Sequence, residues 1–339
     1  MKPSSQIRCS MNRPNFLKMH KYLFIILLLT IQIGFSNKIK NPIDPYPNFQ
    51  QYSFKNFDFE DCDACGCSAN GGSMGFSSMI DQNFVGLRYM YQSYQSRDGV
   101  FNNSPWVDEN FNTLQAWGRV PLTDRVEVMA LVPYHFNNRE NMVGTQNIDG
   151  LGDITVMGFY TLLKPKMDTL PTQHKVQVGV GIKAPTGRYD SENNGSVNPS
   201  FQLGTGSWDY TVAGEYIVKR KNLGFNAMAN YILKTENDKN YKFGNQFNYG
   251  GTVFYSLGSE KFTVVPQAGL AGELYAANED FNEDVPLTEG DIFFGKVGVE
   301  MGINRFSLGL NAMLPITQNL TGGRVEANYR IGINLNYGL

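Results

Sequence analysis

From residue 80 to the end of the chain, the connections between apolar-patterned segments alternate between short and long. The tight joints are Leu122–Arg125, Lys219–Asn222, Gly258–Lys261 and Ile303–Arg305. Between them lie long polar joints: Arg97–Asn110, Asn138–Gly150, Gly187–Gly206, Thr235–Gly244, Ala277–Gly290 and Gln318–Arg324. Lys164–His174 falls on the short side and is the one joint there that is not short. A soluble sandwich has no reason to sort its turns by length onto two ends. A transmembrane β-barrel does, with short periplasmic turns and long outer loops.

The segments between the joints carry a period of two, the signature of strands. They fall near 83–95, 111–121, 125–136, 151–163, 175–185, 207–219, 223–234, 245–257, 261–276, 290–303, 305–317 and 325–339. Ten or more residues suit a tilted bilayer crossing, whereas ordinary strands are about half as long. In the last segment Ala327, Tyr329, Ile331, Ile333, Leu335, Tyr337 and Leu339 share one face, opposite Asn328, Arg330, Gly332, Asn334, Asn336 and Gly338. Leu223, Phe225, Ala227, Ala229, Tyr231 and Leu233 likewise oppose Asn226, Met228 and Asn230. Asp153–Leu163 and Asn245–Leu257 are apolar on both faces, as if something fills the lumen there. Tyrosines near segment ends, among them Tyr134, Tyr160, Tyr216, Tyr231, Tyr255, Tyr275 and Tyr337, fit interfacial girdles. The fold expected is all-β: a transmembrane antiparallel up-and-down barrel of about twelve strands, its last strand closing the sheet.

Composition agrees. The 35 glycines and 13% aromatics favour turns and strands, and charged residues reach only 18%, below the usual quarter. A mean hydropathy of −0.31 excludes a helical membrane bundle but not a barrel, whose strands average apolar with polar. Tyr22–Phe35 is an apolar run behind Lys18, His20 and Lys21, ending at the small residues Gly34 and Ser36. This reads as a secretory signal over 1–36, too short for a comfortable transmembrane helix. That segment holds five of the 29 basic residues and no acid, so its removal leaves 24 bases against 31 acids, a net charge of −7. An acidic exported chain is a poor nucleic-acid ligand. The expected organisation is a signal at 1–36, a proline-bearing periplasmic extension at 37–80 and an outer-membrane barrel at 81–339.

Two constellations carry chemistry. In Cys62-Asp63-Ala64-Cys65-Gly66-Cys67, three thiols sit within six residues beside Asp58, Glu60 and Asp61. Thiolates select copper(I) or zinc, which makes Cys62, Cys65 and Cys67 candidate metal ligands. An oxidising compartment favours a disulfide instead, and only His135 and His174 remain after the leader to complete a Cys/His zinc set. The second constellation is the inward face. Alternation projects Arg88, Arg119, Lys183, Lys296 and Arg330 into the lumen, against Glu127, Glu215, Glu273 and Glu300. Buried charges need water or one another. They read either as a selectivity lining or as structural ion pairs across a plugged lumen, and the mixture of signs argues against a strongly ion-selective pore.

Catalysis finds little support. A membrane-embedded hydrolase needs a nucleophile held by a base, and neither histidine has a serine or carboxylate partner in sequence. Gly179-Val180-Gly181 has no helix after it and is no dinucleotide loop. No cofactor is implied.

Three motifs, in order, carry a resemblance: Gly150-Leu151-Gly152-Asp153-Ile154, Lys183-Ala184-Pro185-Thr186-Gly187 and Leu203-Gly204-Thr205-Gly206-Ser207-Trp208-Asp209. The chain resembles, over roughly residues 80–339, the outer-membrane barrel family labelled putative MetA-pathway of phenol degradation. Its Cys-Gly-Cys-Ser stretch is similar to that of barrel proteins from the Bacteroidetes group. The resemblance implies a porin-like barrel, with a looser kinship to transporters of hydrophobic solutes, and no active site. The expected function is passage of a small solute, hydrophobic ones included, with outer-membrane lipid as surroundings. The alternative is a binding or structural barrel that presents the cysteine segment to copper or to a periplasmic redox partner.

Overall fold

The computed structural model describes residues 80, 83–97, 104–141, 144–164, 171–259 and 261–339, all within one compact unit, Asn56–Leu339. The leader over 1–36 and the cysteine-bearing extension, Ile80 excepted, lie outside the described residues. The first half of the chain forms β1 (Phe84–Ser96), β2 (Val107–Pro121), β3 (Val126–Asn141), β4 (Gly144–Leu151), β5 (Ile154–Leu163), β6 (Thr172–Ala184), β7 (Asp209–Arg220) and β8 (Leu223–Leu233). The second half forms β9 (Tyr241–Lys242), β10 (Gln246–Tyr255), β11 (Leu257–Ser259), β12 (Phe262–Tyr275), β13 (Glu279–Asp280), β14 (Glu283–Asp284), β15 (Gly290–Ile303), β16 (Phe306–Leu320) and β17 (Val325–Gly338).

Among the described residues twelve of these strands close into one antiparallel barrel. Each pairs with its neighbours in chain order, and β10 pairs with both β8 and β12. Closure is made by β1 against β17, with Phe84 opposite Gly338 and Ser96 opposite Val325. The sequence-derived segments coincide with these twelve strands to within a few residues. The termini of the barrel and the short turns share one end. The long connections share the other.

The pleat sends successive side chains to opposite faces, and here the apolar face is the outer one. In β17 Ile331, Ile333, Leu335 and Tyr337 are exposed, while Arg330, Asn334 and Asn336 are buried. In β8 Leu223, Phe225, Tyr231 and Leu233 point out, and Asn226 and Asn230 point in. β6 repeats this with Val178, Val180 and Ile182 against Lys175, Gln177 and Lys183. Soluble proteins do not expose a contiguous apolar surface of that kind. A bilayer is the solvent that makes it stable, and the chain is an outer-membrane β-barrel.

Three expectations change. Ala327 faces inward, not outward, because a bulge on β17 slips the pairing between Ser93/Tyr94 and Tyr329/Ala327. The extra residue, Asn328, is exposed, and Val325 and Ala327 join the core. Asn138–Gly150 is not a polar loop, since β3 continues to Asn141 and returns as β4, a hairpin standing beyond the barrel wall. Tyr275 is no girdle residue, for its hydroxyl donates to the inward Glu273. The apolar inner faces of β5 and β10 are occupied: Met157 and Phe159 pack with Phe84, Trp117, Met129 and Leu131, and Phe254 packs with Ile217, Met228 and Val265. These two clusters lie inside the barrel toward the short-turn end.

One seam interrupts the wall. β16 and β17 pair from Phe306–Tyr337 to Met313–Arg330 and then not again until Leu320–Val325. Pro315 lies in the gap, where a missing N–H interrupts the ladder. The Gln318 side chain bridges it, accepting from Ala327 N (2.7 Å) and donating to Ala327 O (3.2 Å).

Candidate lumen constriction

The 24-residue connection from β6 to β7 does not stand out into solvent. It turns into the barrel mouth, where Phe201 and Leu203 are buried against Phe111 and the inner faces of β15 to β17. Two polar anchors hold it there.

The first anchor is built from all three sequence motifs. Asp153, at the entry to β5, accepts from Lys183 Nζ (2.8 Å), from Thr205 N (2.9 Å) and Thr205 Oγ1 (3.1 Å), and from Gly187 N (2.9 Å). Lys183 also reaches Asp209 (2.6 Å), which is shared with Lys234 (3.0 Å). Ser207 donates to the other oxygen of Asp209 (3.0 Å). Thr186 Oγ1 donates to Gly152 O (2.7 Å) and accepts from Ile154 N (3.0 Å). Two carboxylates and two ammonium groups thus neutralise one another away from water, the condition under which buried charge is tolerated. The backbones at Gly187 and Gly204 touch: a Cβ on Gly187 would lie 2.4 Å from Leu203 O. The motif glycines are therefore contact residues of the anchor.

The second anchor is Glu109 on β2. It accepts from Ser96 (2.8 Å), from Asn198 (2.8 Å) and from Ser196. Arg139 stands 3.9 Å from Glu109, donates to Gly195 O and covers the Phe201 ring.

The residues projected inward by alternation are all buried. Arg119 contacts Glu127 through Nε and a terminal nitrogen (2.7 and 2.6 Å), donates to Gln177 (2.8 Å) and lies on the Phe159 ring. Lys175 stands 3.8 Å from Glu127. Arg330 grips Glu273 with two nitrogens (2.7 and 3.0 Å), donates to Tyr94 and covers Phe294. Arg88 donates to Gln115 (3.1 Å) and covers Trp117. Asn226 donates to Glu215 (2.6 Å). Lys296 and Glu300 are buried on β15. Arg119 and Arg330 are each about 1% exposed, so both are packed against aromatic faces rather than bathed by a wide aqueous pore. Glu109, Arg139, Asp153, Lys175, Asp209 and Lys234 belong to the same inner surface and were not among the residues projected inward from the sequence. Asp153 and Asp209 were visible only as strand-opening residues of the motifs.

Between the folded-in loop and the wall lies a cavity. Tyr94, Leu203, Phe243, Tyr275, Leu320 and Val325 give it apolar and aromatic walls, Ser200, Thr288 and Gln246 add neutral polar groups, and Asp153, Lys234 and Glu289 add charge. Tyr189 stacks on Tyr241, and both meet the cavity's Phe243 edge-on, with ring centres 5.1 to 6.1 Å apart. Burial in that cluster pushes the Tyr241 phenol up to about 12.

Of the two described histidines, His135 is buried with Thr113 Oγ1 at 2.8 Å, and His174 stacks on Tyr216 at the short-turn end. Cys62, Cys65 and Cys67 lie outside the described residues.

A sequence model of the family described as "Putative MetA-pathway of phenol degradation" matches residues 105–288. Among curated proteins no sequence matches. Among solved structures, an outer membrane channel from Pseudomonas putida F1 is similar at a TM-score of 0.58 and 14% identity, over 75% of this chain and 94% of that one. The beta domain of the Bordetella autotransporter Brka gives 0.46 at 10% identity, over 76% and 99%. A Pseudomonas aeruginosa FadL homologue gives 0.38 at 10% identity, over 76% and 91%. The first of these likenesses bears on the fold alone.

Proposed function

Because the chain belongs to the outer-membrane barrel family described as putative MetA-pathway of phenol degradation, we propose that it passes a small solute with a substantial apolar surface through its lumen. The observation that carries this reading is the cavity beneath the β6–β7 connection. Its walls are mostly apolar and aromatic, with a small number of polar and charged groups, the usual character of a small-molecule site. A twelve-stranded barrel encloses less space than a water-filled porin, and the folded-in loop narrows it further. The buried charges act as ion pairs that hold the wall and the loop, not as an ion filter. The P. putida barrel of similar fold is a channel, which agrees with this assignment. Passage requires a lined path and no bond chemistry.

Liposome swelling and planar-bilayer recording test the proposal. The full-length protein should conduct ions weakly and admit small organic solutes, and a variant lacking residues 190–203 should conduct several-fold more. Absence of conductance in both, together with unchanged solute uptake in a deletion strain, would sink the idea.

A further inference from the structure

The short-turn end of the barrel carries a ring of positive charge. Arg125 lies in the β2–β3 turn, Lys164 follows β5, Arg220 and Lys221 make the β7–β8 turn, Lys261 precedes β12, and Arg305 makes the β15–β16 turn. All six are exposed, and none forms an ion pair among the described residues. Asp124 is the one acid among the described residues of these turns. In the sequence, Lys166, Asp168 and Glu260 add one base and two acids, so the rim stays strongly positive. The opposite end is its reverse. The connection from β12 to β15 alone holds Glu279, Asp280, Glu283, Asp284 and Glu289 without a base.

The placement of the cations identifies their partner. Five of the six sit close in sequence to an exposed apolar side chain at the edge of the lipid-facing band: Arg125 near Leu122, Lys164 beside Leu163, Lys221 near Leu223, Lys261 beside Phe262, and Arg305 beside Phe306. Arg305 also points its guanidinium at the Tyr337 hydroxyl (3.5 Å), and Tyr337 packs edge-on against Phe306. The cations therefore stand at the height where acyl chains give way to headgroups. They are also spread over five separate turns around the rim, so a soluble partner docking from one side would meet only some of them. Lipid surrounds the barrel and meets them all.

We propose that this ring binds the phosphodiester headgroups of anionic phospholipids in the leaflet that faces the periplasm. Lys and Arg held at a membrane surface attract anionic lipid, an attraction that salt screens.

Native mass spectrometry of the full chain, released from detergent after incubation with equal phosphatidylglycerol and phosphatidylcholine, tests this. The protein should retain phosphatidylglycerol over phosphatidylcholine by roughly threefold or more, and the preference should fade at high salt. The combined variant R125Q/R220Q/K221Q/R305Q should lose it while still migrating as a folded barrel in unheated gels. Millimolar inorganic phosphate should not displace the lipid. Equal retention of the two lipids, the same preference in the folded variant, or displacement by phosphate would each overturn the proposal. Should the fourfold variant fail to fold, K221Q and R305Q tested singly should each lower the preference, and two unchanged single variants would overturn it equally.

Discussion

Lys183 shows how much rests on one side chain. Its ammonium contacts both Asp153 and Asp209, and through them the three motifs that resemble the barrel family meet at one point. Replacing it by methionine keeps the bulk and leaves two buried carboxylates with one lysine between them. Removing one partner of a buried pair costs about 3–5 kcal/mol. Lys183→Met should therefore lower the temperature at which the barrel loses its folded gel mobility and make the β6–β7 connection readily cut by protease. Unchanged melting and cleavage would show that the anchor carries no stability. Alternation along the strand made Lys183 legible in the sequence. Its partners Asp153 and Asp209 were read only as the strand-opening residues of the motifs, although both are in phase with the inward faces of their strands. Glu109 and Arg139 were hidden in stretches that look like polar loop and are in fact strand.

At the scale of the element, the instructive case is β17. Its alternation is the clearest in the chain, and yet one bulge reverses the faces of Val325 and Ala327. A shift of one residue moves every following side chain to the other face, and nothing local in Glu326–Tyr329 announces it. The pairing gap beside it makes the same region the weakest part of the wall. Amides of Leu314 and of residues 316–319 should exchange with deuterium markedly faster than those of 306–313 in the same strand, because they lack the full ladder. Gln318→Leu, which removes the side-chain bridge to Ala327, should widen that difference. Uniform protection along β16 would contradict the seam. The β6–β7 connection was expected as a loop of the right length in the right place. That it folds inward was not readable, since Phe201 and Leu203 meet partners far away in sequence.

For the whole molecule, the sequence spoke plainly: turn lengths sort onto two ends, and twelve segments alternate with the apolar side larger. Both signals are one-dimensional traces of a closed sheet in lipid, and both survive with no knowledge of the core. Lipid on the outer face makes a direct prediction. Val180 is 66% exposed near the middle of β6, and an arginine there faces hydrocarbon at about 2–4 kcal/mol. Val180→Arg should reduce the unfolding free energy in liposomes by about that amount, whereas Arg at Leu122, by the headgroups, should be nearly neutral. Equal effects at both sites would remove the bilayer from the account.

The pairing of β1 with β17 sets the order of events in assembly. Phe84–Ser96 is made first and its partner Val325–Gly338 last, so throughout synthesis and export β1 has only one of its two neighbours. Its free side is a row of unpaired amides and carbonyls, the kind of edge that recruits strands from other chains. The polypeptide must therefore be kept from collapsing until every strand has arrived, and non-local closure of this sort is slow. A ribosome that stops ten residues early forfeits as much as one that stops halfway, since in either case the first strand waits for a partner that never comes.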